Sequence, residues 1–224
     1  MLKKLLELLA SKQDFVEISR ENVLSMLSTS REMFDLVYKS LDRQIDYSIK
    51  KGISKIDKQL NDKKRVVRQM VYEHLAISGS TDLLKSIQFF SIVSDIERIG
   101  DYVKNLAEVL DYIPQKIVVG ELYAKRFEEM VSGTKKMFEK TQNAVKDFNE
   151  SEATDAIVKY QSLSATCESL ITDIITSNGD SVSKSDVRLL MMTRYTKRVN
   201  AHLKNVAATL KNPLDTISNP SFSD

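Results

Sequence analysis

Apolar residues recur at intervals of three and four along almost the whole chain, the spacing that is typical of amphipathic α-helices. This pattern predicts helices over about residues 19–52, 53–77, 82–111, 120–149, 152–177 and 185–211. Ser80 or Thr81 is a predicted cap for the third helix, with Asp82 in its first turn. The Ile113-Pro114 pair ends that helix, because the residue before a proline avoids the α conformation. Long helices joined by short loops predict an all-α, elongated six-helix bundle.

The two ends of the chain carry different patterns. Residues 1–18 begin with MLKKLLELLASK and predict a short, separate amphipathic helix. Packing of this helix on the domain is favoured over binding to a membrane surface, because its polar face is not especially basic. At the other end, Ser183 or Ser185 is the predicted cap of the sixth helix, Asn212-Pro213 ends it, and residues 214–224 form a predicted flexible tail.

The third and sixth predicted helices match each other at a constant offset of one hundred residues, without a gap. The identical pairs are Arg98/Arg198, Lys104/Lys204, Asn105/Asn205, Ala107/Ala207 and Leu110/Leu210. This match predicts two three-helix repeats, residues 19–115 and 116–213, related by a pseudo-two-fold axis. Each unit alone leaves an apolar face exposed, so we expect the two repeats to share one core.

Composition narrows the class of protein. Lys plus Arg number 33 and Asp plus Glu 31, a balance that argues against a strongly basic nucleic-acid-binding protein. Six Gly and three Pro are too few for the many turns of an all-β fold. The single cysteine, Cys167, cannot form an intrachain disulfide and indicates a reduced, cytoplasmic setting. No apolar run has the ~18–20 residues of a membrane span, so we expect a protein that is peripheral to a membrane at most.

An acidic pair is the most informative local feature. Glu97 and Asp101 lie four residues apart, so both carboxylates share one helix face with Cβ atoms ~5–6 Å apart. Their repulsion disfavours the helix by ~0.2–0.5 kcal/mol, and Gly100 between them costs about 1 kcal/mol relative to Ala. Because this helical turn contains both unfavourable features, we expect compensating interactions there, namely a bound cation and a close approach by a neighbouring helix. The alternative is a solvated acidic face with Arg98 and Lys104 nearby.

The second repeat has lost this pair. Lys197, Asn200 and Ala201 stand where the first repeat has Glu97, Gly100 and Asp101. The carboxylates are therefore not needed for packing, and one repeat is predicted to bind a metal while the other is not.

A hard cation needs more oxygen ligands than one pair supplies. Asp57 and Asn61, four residues apart, and the adjoining Asp62 lie early in the second predicted helix, where an antiparallel third helix brings Glu97 and Asp101 alongside. Oxygen ligands alone favour Mg, Ca, Mn or Fe over a structural zinc site.

The run IERIGDYVKNLAEVL at residues 96–110 resembles the signature of PhoU-type phosphate regulators, and the resemblance extends over about residues 20–212. It implies a six-helix bundle of two three-helix repeats that binds a multinuclear cluster of a divalent or trivalent metal, iron or zinc among them, on paired acidic motifs. Glu97 and Asp101 match one motif fully, and Arg98 and Asn105 belong to the same stretch. Asp57 and Asn61 match the partner motif with Asn in its last position, where Asp62 is a possible substitute.

The resemblance also implies a function. It points to a non-enzymatic regulator of phosphate uptake and phosphate-dependent signalling that acts by protein–protein contact. The implied partners are a phosphate transporter subunit or sodium/phosphate cotransporter and, as a further candidate, a sensor histidine kinase. Self-association into a homodimer is expected because amphipathic bundles leave apolar patches. Two alternatives are a metal-free helical adaptor and a metal-dependent hydrolase, but the sequence offers no general base for hydrolysis beyond the ligands.

Overall fold

Helices account for nearly all of the structure, a computed structural model that describes residues 2–41, 47–113, 121–177 and 182–212. The six helices are α1 (Leu2–Lys39), α2 (Tyr47–Ser78), α3 (Leu83–Tyr112), α4 (Glu121–Asp147), α5 (Glu150–Ser177) and α6 (Lys184–Lys211). A 3-10 turn, Gly79–Asp82, joins α2 to α3. The described residues contain no strand, so the predicted all-α class is confirmed. None of the described helices combines the length and apolar character that crossing a bilayer requires.

Two helices form the centre of the bundle. α3 and α6 pack against each other, with α1 against α3 and α4 against α6. Within the described residues, α2 packs on α1 and α3, while α5 packs on α4 and α6, so these two helices lie on opposite flanks. The same arrangement therefore occurs in each half, as the repeat predicts. The boundary predicted at residues 115–116 lies outside the described residues and stays a prediction.

One apolar core runs through both halves, as expected from two units that cannot bury their apolar faces separately. Ile96, Ile99 and Val103 of α3 are fully buried, as are Val199 and Leu203 of α6. Aromatic rings connect the first helices of the two halves, since the Phe34 and Phe138 ring centroids lie 5.7 Å apart. Cys167 is buried and free within this core, where its thiol acts as a small apolar side chain.

Two glycines allow neighbouring helices to approach closely. A Cβ atom at Gly100 would lie 2.7 Å from Leu60 Cδ1, so a side chain there would force the end of the Leu60 side chain to move. Gly133 of α4 receives Leu163 of α5 in a similar way. The close approach predicted at Gly100 is confirmed.

The N-terminal prediction was wrong. α1 is continuous from Leu2 to Lys39, and no separate short helix precedes residue 19. Asn22, a residue type that often begins a helix, lies inside α1, where its Nδ2 donates to the carbonyl of Ile18 at 2.8 Å. α1 then ends at Lys39 and α2 begins at Tyr47, so Gly52 lies inside α2 rather than ending a helix.

The caps were predicted with mixed success. Asp82 precedes α3 but makes no side-chain capping hydrogen bond, and its Oδ2 instead lies 3.1 Å from Nε2 of His74. The predicted caps Ser80 and Thr81 have side chains outside the described residues. Ser183 forms a capping box with Asp186 at the start of α6, as predicted, and Asn212 is the C-cap. The predicted tail, residues 214–224, lies outside the described residues.

Candidate functional site

The contact between Leu60 and Gly100 brings the acidic residues of α2 and α3 toward each other. Asp57 lies one turn before Leu60, and Glu97 and Asp101 lie on either side of Gly100. Burial raises the pKa of the Asp101 carboxyl, and the negative charges of Glu97 and Asp57 raise it further. The charge of Asp57 on α2 therefore acts on Asp101 of α3 across the contact between the two helices.

Each of these carboxylates also has a basic side chain within ion-pair distance. Burial leaves Glu97 only 17% exposed, so its pair with Lys64 is the best shielded from water. The three pairs are Lys64 Nζ to Glu97 Oε1 at 2.5 Å, Arg98 Nη1 to Asp101 Oδ2 at 3.4 Å, and Lys104 Nζ to Asp57 Oδ2 at 3.6 Å. Three negative charges are thus matched by three positive charges, and two of those cations, Lys64 and Lys104, bridge α2 and α3.

The remaining predicted residues contribute less to this group. Asn61 donates its Nδ2 to the backbone carbonyl of Asp57 at 3.2 Å, a contact within α2. Asp62 is 56% exposed and lies 3.8 Å from Arg65 on the solvent side of α2. Asn105 is half-buried on α3, one turn beyond Asp101. The structure therefore brings together Asp57, Glu97 and Asp101 but not Asp62.

In their present arrangement, the carboxylates of Asp57, Glu97 and Asp101 do not form a ligand set that fits a metal cluster. A hard cation of the predicted kind takes several converging oxygens that are free to bind it. In the described part of the chain, no three His, Cys, Asp or Glu side chains converge to hold a metal. The oxygens of Glu97 and Asp57 face lysine ammonium groups instead, so the predicted ligand set stays a prediction.

The second repeat has an ion pair at the corresponding place with the charges exchanged. Lys197 of α6, the counterpart of Glu97, lies 2.7 Å from Glu168 Oε1 of α5. The hydrogen bond from Lys197 holds the pKa of the Glu168 carboxyl below its usual value. At this position an ion pair joins the flanking helix to its central helix in both halves, with the cation on α2 in one half and on α6 in the other.

A second polar cluster was not predicted from the sequence. Asp95 Oδ1 of α3 lies 2.8 Å from His202 Nδ1 and accepts a hydrogen bond from Asn205 Nδ2 at 3.2 Å. The His202 ring also stacks on Tyr102, with the centroids 5.5 Å apart. Both of the residues that contact Asp95 come from α6, so this cluster joins the two halves. Sequence spacing shows that Asp95 precedes the acidic pair, but not which residues a hundred positions away lie opposite it.

With this geometry established, three comparisons place the chain among known proteins. The PhoU domain family model matches residues 23–110. The crystal structure of PhoU from Pseudomonas aeruginosa superposes with a TM-score of 0.78 at 17% sequence identity, covering 91% of this chain and 98% of that one.

The crystal structure of the phosphate transport system regulatory protein PhoU from Streptococcus pneumoniae superposes with a TM-score of 0.70 at 20% identity and covers 98% of each chain. No curated protein matches the chain by sequence. The structural likeness extends over both halves, whereas the family match lies in the half that holds the acidic residues. Residues 23–110 of this chain therefore match the PhoU domain model, and the fold is similar to that of PhoU proteins over nearly its whole length.

Proposed function

We propose that this chain is a regulator of phosphate uptake and of phosphate-dependent signalling. The observation that carries this proposal is the PhoU domain match together with a PhoU fold that extends over both halves. The Streptococcus pneumoniae neighbour is described as a phosphate transport system regulatory protein. By that analogy the chain acts in the cytoplasm by protein–protein contact rather than by catalysis.

The partner in this proposal is a component of phosphate import. It is a phosphate transporter subunit or a sodium/phosphate cotransporter, and a sensor histidine kinase is the second candidate. The opposite charges of the two flanking helices support a contact mechanism, since α2 has eight Lys and Arg against three acids and α5 has five acids against one Lys. Surfaces of opposite charge favour different partners and orient the complex.

A cellular assay tests this role. Removal of the chain from its host is expected to change phosphate uptake, and the intact chain is expected to restore it. Uptake of radiolabelled phosphate is measured in the deletion strain, with the intact chain and with charge-reversed variants of α2. Lys55→Glu with Lys58→Glu is expected to weaken complementation, whereas the matched reversal of exposed acids on α5, Glu150→Lys with Asp155→Lys, tests the opposite flank. Normal phosphate uptake and phosphate-dependent signalling in the deletion strain would contradict the proposal.

Two forms of this regulator are considered, one that binds a metal and one that does not. In one form a divalent or trivalent ion is held by Asp57, Glu97 and Asp101, with Asn61 and Asp62 as further candidates. In the other form the chain is a metal-free helical adaptor. The ion pairs of Lys64 and Lys104 favour the metal-free form, because a metal would have to replace both ammonium groups.

Metal analysis of the purified protein distinguishes these forms. The metal-free form predicts no stoichiometric iron, zinc or other metal, and the same melting temperature with and without chelator. A stoichiometric metal that is lost in Glu97→Ala/Asp101→Ala but kept in Glu108→Ala, an exposed acid two turns beyond Gly100, would instead establish the metal-bound form.

The homodimer is a further part of the proposal. Large apolar side chains are exposed near the junction of α2 and α3, among them Tyr72, Ile77 and Leu84 at 62%, 69% and 50%. Exposed apolar side chains of this size are common at protein interfaces. Analytical ultracentrifugation measures the oligomeric state, and a monomer at all concentrations would rule the homodimer out.

A further inference from the structure

An open groove lies beside the acidic residues, between α2, α3 and α6. Its volume is about 710 Å³, within the range of small-molecule binding sites. One wall is apolar, and the rest presents basic side chains, serine hydroxyls, His202 and the carboxylates of Asp95 and Glu97. The residues that matter here are Lys64, Arg68, Ile87, Phe90, Ser94 and Arg98.

Arg68 is the best-positioned cation in this groove. Its Nη2 donates to Ser94 Oγ at 2.8 Å, and Ser94 Oγ donates in turn to the carbonyl of Phe90 at 2.8 Å. The guanidinium lies 4.4 Å from the centre of the Phe90 ring. Within the part of the chain that the structure describes, Arg68 forms no ion pair, and its Nε is buried without a hydrogen-bond partner. The guanidinium is thus oriented by a hydroxyl and an aromatic ring, and its charge is not matched by a carboxylate.

The acidic residues that line the groove are already paired. Glu97 contacts Lys64 at 2.5 Å, and Asp95 contacts His202 and Asn205. Arg98 is 64% exposed and makes only a 3.4 Å contact with Asp101. Among the basic side chains that line the groove, Lys64 and Arg98 thus each have a carboxylate partner, whereas Arg68 has none among the described residues.

We propose that this groove binds a phosphoryl anion, with Arg68 as its main ligand. A guanidinium presents a planar fork of N–H donors that fits the oxygens of a phosphate group. Ser94 stands beside that fork as a hydroxyl able to reorient toward the anion, and the 64% exposed Arg98 lies in the same groove. The inference does not rest on the proposed function, because it depends only on the groove and on the contacts of Arg68.

Free phosphate and a small phosphate ester present the same group to Arg68. The groove is larger than inorganic phosphate requires, and the Ile87 and Phe90 wall is suited to an organic part. The probes are therefore inorganic phosphate and adenosine monophosphate. Tighter binding of the nucleotide would identify an ester as the ligand class, and equal or weaker binding would identify free phosphate; either result supports the site.

The test compares two arginines on the same helix. Arg68→Gln removes the guanidinium in the groove, while Arg65→Gln removes an arginine one turn earlier in α2 that is 80% exposed and does not line the groove. Titration calorimetry of the full-length protein with inorganic phosphate and with adenosine monophosphate is expected to show about tenfold weaker binding for Arg68→Gln. For Arg65→Gln we expect a change of about twofold or less, because an exposed charge is screened by salt.

A second substitution guards against loss of folding. Arg68→Lys keeps the charge but removes the planar fork, and we expect an affinity between those of the wild type and Arg68→Gln. Circular dichroism melting verifies that each variant is folded. The proposal is overturned if the wild-type protein binds neither probe saturably, or if Arg68→Gln and Arg65→Gln weaken binding equally. Either result leaves the cellular role untouched, so the two proposals fail separately.

Discussion

Three glycines inside helices differ in the space available to an added methyl group, and they provide a graded test of the packing described above. Around Gly52 of α2 nothing lies within 4 Å of the position that a Cβ would occupy. At Gly100 one atom, Leu60 Cδ1, lies 2.7 Å away. At Gly133 the added atom would overlap Leu163 Cδ2, with Cγ at 3.2 Å and Cδ1 at 3.3 Å. The perturbation is the same glycine-to-alanine substitution at each position.

Two opposing effects set the expected magnitudes. Alanine is favoured over glycine in a helix interior by about 1 kcal/mol at each position. Overpacking of a well-packed core costs about 1–3 kcal/mol. Gly52→Ala therefore stabilises the protein by up to about 1 kcal/mol, since no overpacking opposes it. Gly133→Ala destabilises it by about 1–2 kcal/mol, because three atoms of the buried Leu163 side chain must move. Gly100→Ala falls between them, since only the end of one leucine obstructs it.

Thermal and urea unfolding of the three variants measure this order. For a chain of this size, 1 kcal/mol shifts the melting temperature by about 2–4 °C. Equal stabilisation by all three substitutions would refute the close approach of α2 to α3 and of α4 to α5. A double variant gives an independent control: Leu163→Ala should relieve the strain of Gly133→Ala, so that the two changes together destabilise less than their sum.

Three further predictions follow from individual side chains. Burial and the charges of Glu97 and Asp57 hold the pKa of Asp101 above its usual 3.8, so ionised Asp101 lowers stability at neutral pH, and Asp101→Asn is expected to raise it. That gain should shrink as the pH falls through the folded-state pKa toward 3.8, and urea unfolding between pH 4 and 7 showing a destabilised Asp101→Asn would contradict it. Burial raises the pKa of the Cys167 thiol to about 12, so a thiol reagent at pH 8 should react slowly with the native protein and rapidly in denaturant; fast native labelling would place the thiol at the surface. Ser183→Ala removes the capping box of α6 and should lower stability by about 1 kcal/mol, whereas Ser183→Asp should retain most of it; an unchanged melting temperature in Ser183→Ala would show that the cap contributes nothing.

The number and class of the helices could be predicted from periodicity alone. Five of the six predicted helices overlap the observed ones closely, because each is long, amphipathic and bounded by proline, glycine or a capping serine. The prediction that failed is the position at which the first helix begins. Ser19 and Asn22 are residue types that often begin a helix, yet Ser19 is buried and Asn22 donates to Ile18 within a continuous α1. Only packing against α3 and α4 distinguishes a cap from a polar residue inside a helix.

The candidate site, too, could be predicted only in part from the sequence. The four-residue spacing of Glu97 and Asp101 places both carboxylates on one face, and the glycine between them indicated a close neighbour, which is Leu60. Spacing did not reveal that Lys64 pairs with Glu97 or that Lys104 pairs with Asp57, since ion pairs between helices depend on how the helices pack. It also did not reveal that Arg68 faces a groove while Arg65 faces solvent, although the two lie only three residues apart.

The amino-acid sequence by itself determined the all-α class, the match between α3 and α6, and the acidic pair, because helical period and local spacing are properties of neighbouring residues. The tertiary structure decided which charges meet: Lys64 with Glu97, Glu168 with Lys197, and Asp95 with His202. Those pairs join residues separated by 29 to 107 positions, and their geometry depends on helix crossings that no local pattern contains. The protonation and binding properties of an ionisable side chain depend on its burial, on its access to water and on the charges near it. The packing of distant helices sets all three.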